Sequence, residues 1–216
     1  MRSEQPGFVV VEGPIGVGKT SLAERLAVRF GTELLLEGPE ENPFLERFYQ
    51  DPKGAALPTQ LFFLFQRAQQ IQSLRQSDIF QPVRVSDFLL DKDRLFAELT
   101  LDADELNLYQ QVYDKLALDA PDPDLVIYLQ APVDTLMGRI GRRGIAYEQA
   151  IEKSYLERLS DAYTRFFYDW HRSPLLIVNT ADINPIDDDR DFELLFQEIC
   201  KVKSGRHFFN PGRLAG

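Results

Sequence analysis

The chain has 216 residues, 44% hydrophobic and 27% charged, which predicts one domain with a sizeable core. A formal charge of −10 and a pI near 4.8 argue against duplex DNA or an anionic membrane surface as the main partner. A lone cysteine, Cys200, excludes an internal disulfide or a cysteine-cluster metal site, and two histidines, His171 and His207, leave little for zinc.

In chain order, the short polar stretch 1–7 leads straight into the apolar run "FVVV" (8–11), so no signal peptide is expected. No apolar run approaches the roughly 20 residues needed to span a bilayer, and the expected location is the cytoplasm. "FVVV" reads as a strand buried on both faces, as do "ELLL" (33–36), "VRVS" (83–86), "LVIYL" (125–129) and "LLIVN" (175–179). Helical patterns lie between them. Lys19 to Phe30 is closed by Gly31 as a C-cap. Pro58 opens a segment to about Arg75, and Asp102-x-x-Glu105 has the form of a capping box. Pro132 suits a first turn before Val133 to Arg142, and a longer pattern runs from Glu148 to Trp170. Strands alternating with helices predict an α/β fold, a five-stranded parallel sheet covered on both faces. The domain is expected to span 1–203, with 204–216 a loose tail.

Between the first strand and the first helix stands Gly13-x-x-x-x-Gly18-Lys19-Thr20, a Walker A phosphate-binding loop in its proper context. Gly13, Gly16 and Gly18 let the backbone approach a phosphate, whose oxygens meet N–H groups of the loop and of the helix start around Ser21. Lys19 would reach the outer phosphates and Thr20 would ligate Mg²⁺. The loop implies a P-loop kinase or hydrolase using a nucleoside triphosphate, and leaves the phosphate acceptor open. Arg139 and Arg143, four apart on a predicted helix ahead of Gly144, can point the same way. They read either as a mobile arginine lid over the transferring group or as a solvated basic helix end.

Three stretches bear on the acceptor. Glu37 follows a buried strand, where a doubly wound sheet collects its functional groups. Gln60 and Arg67 lie seven apart, on one helix face. Asp87 ends a strand and Asp93 follows on a helix. With Tyr49-x-Asp51-Pro52-Lys53 ahead of Gln60, this ordered set resembles the deoxynucleoside kinase family, in its bacterial deoxyadenosine and deoxyguanosine kinase branch, over about residues 7–180.

The resemblance implies ATP as donor, Mg²⁺ at Thr20 and Asp87, a deoxynucleoside as acceptor, a role in nucleotide salvage and a homodimer. It makes Glu37 the general base for the 5′-hydroxyl, with Tyr49 and Glu148 on the sugar 3′-hydroxyl. Gln60 reads the base, Arg67 and Asp93 form the charged pair of members preferring purines or cytosine to thymine, and Phe96 stacks on the base. Two positions depart from the family: Phe88 and Ile145 stand where arginines are usual, with Lys92 or Arg94 as possible substitutes. Two other readings fit a P-loop. A nucleotide kinase of thymidylate kinase type would need extra cations for the acceptor phosphate, and a non-catalytic nucleotide-binding regulator would explain the lost arginines. A GTPase lacks its guanine motif, since "NTAD" (179–182) has no lysine.

Overall fold

A computed structural model describes residues 6–76, 84–116 and 120–211. A six-stranded, wholly parallel sheet forms the middle of the molecule, in the order β2-β3-β1-β4-β5-β6. The strands are β1 (Phe8–Glu12), β2 (Glu33–Leu35), β3 (Arg84–Ser86), β4 (Leu125–Gln130), β5 (Leu175–Asn179) and β6 (Arg206–Phe209). Val9, Val10 and Val11 are all fully buried, so both faces of β1 are covered, as continuous apolar runs require. The five expected strands all form, within a residue or two, except that Val83 lies outside the described residues. The count of five is corrected to six. Residues 206–209, expected as loose tail, pair with β5 in the register Leu175 to Arg206 and Val178 to Phe209. Three of those four residues are exposed, so this edge strand carries no apolar run to announce it.

The helices are α1 (Lys19–Phe30), α2 (Leu45–Gln50), α3 (Pro52–Gln76), α4 (Lys92–Thr100), α5 (Ala103–Leu116), α6 (Val133–Arg143), α7 (Lys153–Tyr168) and α8 (Asp189–Lys201). Gly31 closes α1 in the left-handed region at φ +66°. The capping box at α5 is made: Asp102 Oδ1 accepts from the Glu105 N–H at 2.9 Å, and Glu105 Oε2 accepts from the Asp102 N–H at 3.3 Å. Two expectations are corrected. Pro52, not Pro58, takes the first turn of α3, and the helix continues through Pro58 with one ladder hydrogen bond fewer. The pattern from Glu148 to Trp170 is broken: a 3₁₀ turn (Ala146–Ala150) and an extended Ile151–Glu152 precede α7. Ile151 turns into the core there, 5% exposed, which a continuous helix would not allow in the same register.

Strand β1 lies between β3 and β4, so the chain leaves it in one direction and later returns on its other side. The crevice outside the carboxyl ends of β1 and its neighbours is where an open α/β sheet places its ligands.

Candidate functional site

The loop after β1 is shaped by its glycines. Gly13 has φ +148°, and a Cβ there would stand 2.4 Å from the Leu129 carbonyl oxygen, so only glycine fits. Gly18, at φ +100°, is the N-cap of α1 and offers no side chain to its first N–H groups. Those donors are left for an anion. Lys19 folds back over the loop, its Nζ donating to the carbonyls of Gly13 at 2.8 Å and Pro14 at 3.4 Å. Burial, followed by the nearby Lys92 ammonium, lowers Lys19 to about 8.

Asp87 joins this loop to the acceptor side. Its Oδ2 accepts from the Thr20 hydroxyl at 2.6 Å, and its Oδ1 accepts from the Glu37 N–H at 2.8 Å. The hydroxyl and carboxylate are hard oxygen ligands that suit Mg²⁺. No cluster of three or more acidic, His or Cys ligands exists among the described residues. A magnesium ion held mainly by phosphates and water needs no such cage.

Behind Glu37 runs a chain of alternating charges. Lys92 Nζ lies 3.4 Å from Glu12 Oε1 and 2.9 Å from Glu37 Oε2. Arg67 pairs through Nη2 with Glu37 Oε1 and through Nη1 with Asp93 Oδ1. The side chains of Lys92, Arg67 and Asp93 are at most 3% exposed. Burial therefore lowers Arg67 to about 10 and Lys92 to about 8. Glu12 closes the chain at the inner end, accepting from the N–H groups of Gly13 at 3.1 Å and Leu89 at 2.7 Å and from the Tyr163 hydroxyl at 3.0 Å.

Glu37, Arg67 and Lys92 of this chain of charges face a cavity lined also by Tyr49, Gln60, Phe63, Phe96 and Glu148. Lys19 and Thr20 reach the same cavity, so donor-side and acceptor-side residues share one space. Phe96 is braced edge-on against Tyr163, with centroids 6.1 Å apart, and Tyr49 stacks in parallel with Tyr147 at 6.1 Å. Burial raises the Tyr49 phenol well above its ordinary value, which keeps it neutral and able to donate.

Arg139 and Arg143 border one groove, as their spacing predicts, but make different hydrogen bonds, and Arg143 also reaches the neighbouring cavity. Arg139 donates to Thr180 O at 2.7 Å, Thr180 Oγ1 at 3.0 Å and Val17 O at 3.3 Å, and lines a groove with Gly16, Gly18, Ser21 and Ile186. Arg143 points into the acceptor cavity, where both oxygens of Glu148 accept from it, Oε1 at 2.5 Å and Oε2 at 3.0 Å. Gly144 caps the helix just beyond, at φ +70°.

The site residues expected from the sequence line this cavity or the adjoining groove, except Gly13, whose carbonyl accepts from Lys19, and Asp93, which stands behind Arg67 as its ion-pair partner. Sequence reasoning passed over Glu12, although an acid between a buried strand and the loop glycine was a usable signal. Of the two substitute cations, Lys92 is inside the cavity. Arg94 is half-exposed and turned outward, 3.5 Å from Asp114 and over the Tyr113 ring at 4.5 Å. Phe88 is buried in the core and Ile145 lies in the turn after α6, so neither supplies a charge.

The deoxynucleoside kinase family model matches residues 9–203. A deoxyguanosine kinase of Bacillus subtilis (strain 168) is 38% identical over 192 residues, covering 87% of this chain and 89% of that one. A deoxyadenosine kinase of Lactobacillus acidophilus is 31% identical over 186 residues, with 79% and 84% covered. Among solved structures, deoxyadenosine kinase from M. mycoides with bound dCTP superimposes with a TM-score of 0.74 at 26% identity, over 89% of this chain and 98% of that one.

Proposed function

The chain belongs to the deoxynucleoside kinase family and is a phosphotransferase acting on deoxynucleosides, and from that premise we propose its donor, its acceptor preference and the work of each residue. The donor is ATP with Mg²⁺, and the acceptor is the 5′-hydroxyl of a deoxynucleoside carrying a purine or cytosine base. One observation supports this most: Asp87 is hydrogen-bonded at once to Thr20 of the phosphate loop and to the backbone of Glu37. A single carboxylate thus fixes the distance between the phosphate loop and the acid that would meet the acceptor.

In this reading the loop N–H groups and Lys19 hold the outer phosphates, and Thr20 and Asp87 hold the metal. A magnesium ion held there would supply positive charge against that of the phosphates. The 5′-oxygen forms a bond to the γ-phosphorus as the bond from that phosphorus to the β–γ bridging oxygen breaks, leaving ADP with the electron pair. Glu37 orients the 5′-hydroxyl and takes its proton. Phosphoryl transfer of this kind is largely positioning and charge stabilisation, so orientation of the nucleophile is the larger part of that role.

Tyr49 and Glu148 bind the sugar 3′-hydroxyl, and Arg143 passes from Glu148 to the transferring group while Arg139 holds the donor side. Gln60, which both donates and accepts, reads the base edge while Phe96 stacks on its face. The Arg67–Asp93 pair favours bases with amino and ring-nitrogen groups over thymine. Relatives named for deoxyguanosine, deoxyadenosine and deoxycytidine support that preference.

The kinase domain includes β6 and so extends through residue 209 rather than ending at 203. Its homodimer forms through the long helices, supported by Phe65 on α3 and Leu108 on α5, each about half-exposed. It works in the cytoplasm, a reading consistent with the lack, among the described residues, of a helix long and apolar enough to cross a membrane.

The test is incubation with ATP and Mg²⁺ against deoxyadenosine, deoxyguanosine, deoxycytidine, thymidine and the matching monophosphates, with Glu37→Gln alongside. Monophosphate from a purine deoxynucleoside or deoxycytidine, lost in the variant, supports the reading. Turnover of monophosphates only would move the protein to the nucleotide kinases.

A further inference from the structure

Lys92 is an unlikely residue for its place by every local criterion. It opens α4, where the positive end of the helix dipole disfavours a cation. Its side chain is 2% exposed, and burying an ammonium is unfavourable even when it is paired. Nor is it needed merely to hold Glu37, because Arg67 already grips the other oxygen of that carboxylate. A cation kept in so unfavourable a position calls for a different explanation.

Its surroundings supply one. The Lys92 ammonium stands between Glu37, 2.9 Å away, and Glu12, 3.4 Å away. Glu12 accepts from the N–H of Gly13, whose carbonyl in turn accepts from Lys19. Lys92 and Lys19 line the same cavity, together with Glu37 and Thr20. Two ammonium groups therefore flank the space between the phosphate loop and the acid that receives the acceptor hydroxyl. No arginine reaches that space from position 88 or 145, since Phe88 is buried in the core and Ile145 carries no charge. Arg94 faces away toward Asp114.

We propose that Lys92 is a second cation, beside Arg143, that stabilises the transferring phosphoryl group in this chain, in the role left empty by Phe88 and Ile145. The proposal rests on the kinase reading given above. In the free protein Glu12 and Glu37 hold the ammonium in place. When donor and acceptor are bound, charge builds on the equatorial oxygens of the phosphoryl group between them, and Lys92 is already positioned to meet it. No reorganisation of the chain is required.

The experiment compares Lys92→Met, Lys92→Gln and Lys92→Arg in the full chain. Three readouts are taken: kcat and KM for the nucleoside, affinity for ADP alone, and affinity for ADP with aluminium fluoride and a deoxynucleoside, a mimic of the transferring group. The neutral variants are expected to bind ADP and nucleoside within about threefold of the parent. They lose on the order of 100-fold or more in kcat, the size of removing one oriented donor from a transition state, and lose affinity for the mimic in parallel. Lys92→Arg recovers most of both. The proposal is overturned by folded neutral variants that keep kcat within about threefold, by a loss confined to KM, or by equal losses for ADP and the mimic. Failure of both neutral variants to fold would also overturn it, by making Lys92 a structural cation. The kinase reading fails separately, through absence of turnover in the parent protein, and the mimic comparison needs no turnover to judge Lys92.

Discussion

Arg143 grips Glu148 through both carboxylate oxygens, at 2.5 and 3.0 Å, so a lid arginine and a proposed sugar ligand satisfy each other in the free protein. In the proposed reading, a 3′-hydroxyl bound at Glu148 would compete with Arg143 for that carboxylate and release the arginine. Glu148→Gln is expected to raise the nucleoside KM by roughly 10- to 100-fold, the scale of a lost hydrogen bond to a charged group. Arg143→Ala is expected to act on kcat instead, by on the order of 100-fold or more. Steady-state kinetics of the two single variants and the double variant check this, and the losses should fall short of additivity.

The buried lysines make a prediction about pH. Lys19 and Lys92 titrate at about 8 in the fold, against about 10.4 when unfolded. Between those values the unfolded chain binds more protons, so stability rises with pH from about 8 toward 10. Cys200, raised by burial, acts in the opposite sense, one thiol against two ammonium groups. Above about 10 the sign reverses, because Tyr49 and Tyr163 are raised by burial and their unfolded forms ionise first. Melting temperatures of the ligand-free protein from pH 7.5 to 9.5 should climb, with a shallower slope in Lys92→Met.

Two glycines should behave oppositely on substitution. Gly13→Ala forces a Cβ to within 2.4 Å of a carbonyl oxygen at positive φ. It is expected to lower stability by about 1–3 kcal/mol and to abolish ATP binding. Gly138→Ala lies in α6 with open space around it, and should stabilise by roughly 0.5–1 kcal/mol. Urea denaturation with nucleotide titration separates the two.

Tyr163 is fully buried and its hydroxyl donates to Glu12. Tyr163→Phe takes one hydrogen-bond donor from a fully buried carboxylate. The expected loss is about 1–3 kcal/mol in urea unfolding, larger than an exposed tyrosine such as Tyr168 would show.

How much of this was legible from the residues depended on whether a feature announces itself locally. Strand β1, the phosphate loop and α1 did, because a buried apolar run, a glycine spacing and an amphipathic pattern follow one another. Strand β6 did not, since an exposed edge of four residues needs no continuous apolar run. Spacing placed Lys92 and Arg94 on one helix but could not choose between them, because only packing fixes which way α4 turns. It also put Arg139 and Arg143 one turn apart without showing that Thr180 and Glu148 would draw them to different targets. Glu12 was hidden by its simplicity, as an acid at a strand end whose partners come from residues 77 and 151 positions away.

That all six strands run in one direction has a practical side. Phosphate loop, Glu37 and Asp87 all follow the carboxyl ends of their strands, and among the described residues none of the expected site residues lies on the opposite rim. The crossings there, at 31–32 between α1 and β2 and at 202–205 between α8 and β6, are exposed for most of their length and contribute nothing to the cavity. They are where an affinity tag, a fluorophore or a surface tether belongs, so that a probe reports on turnover without taking part in it.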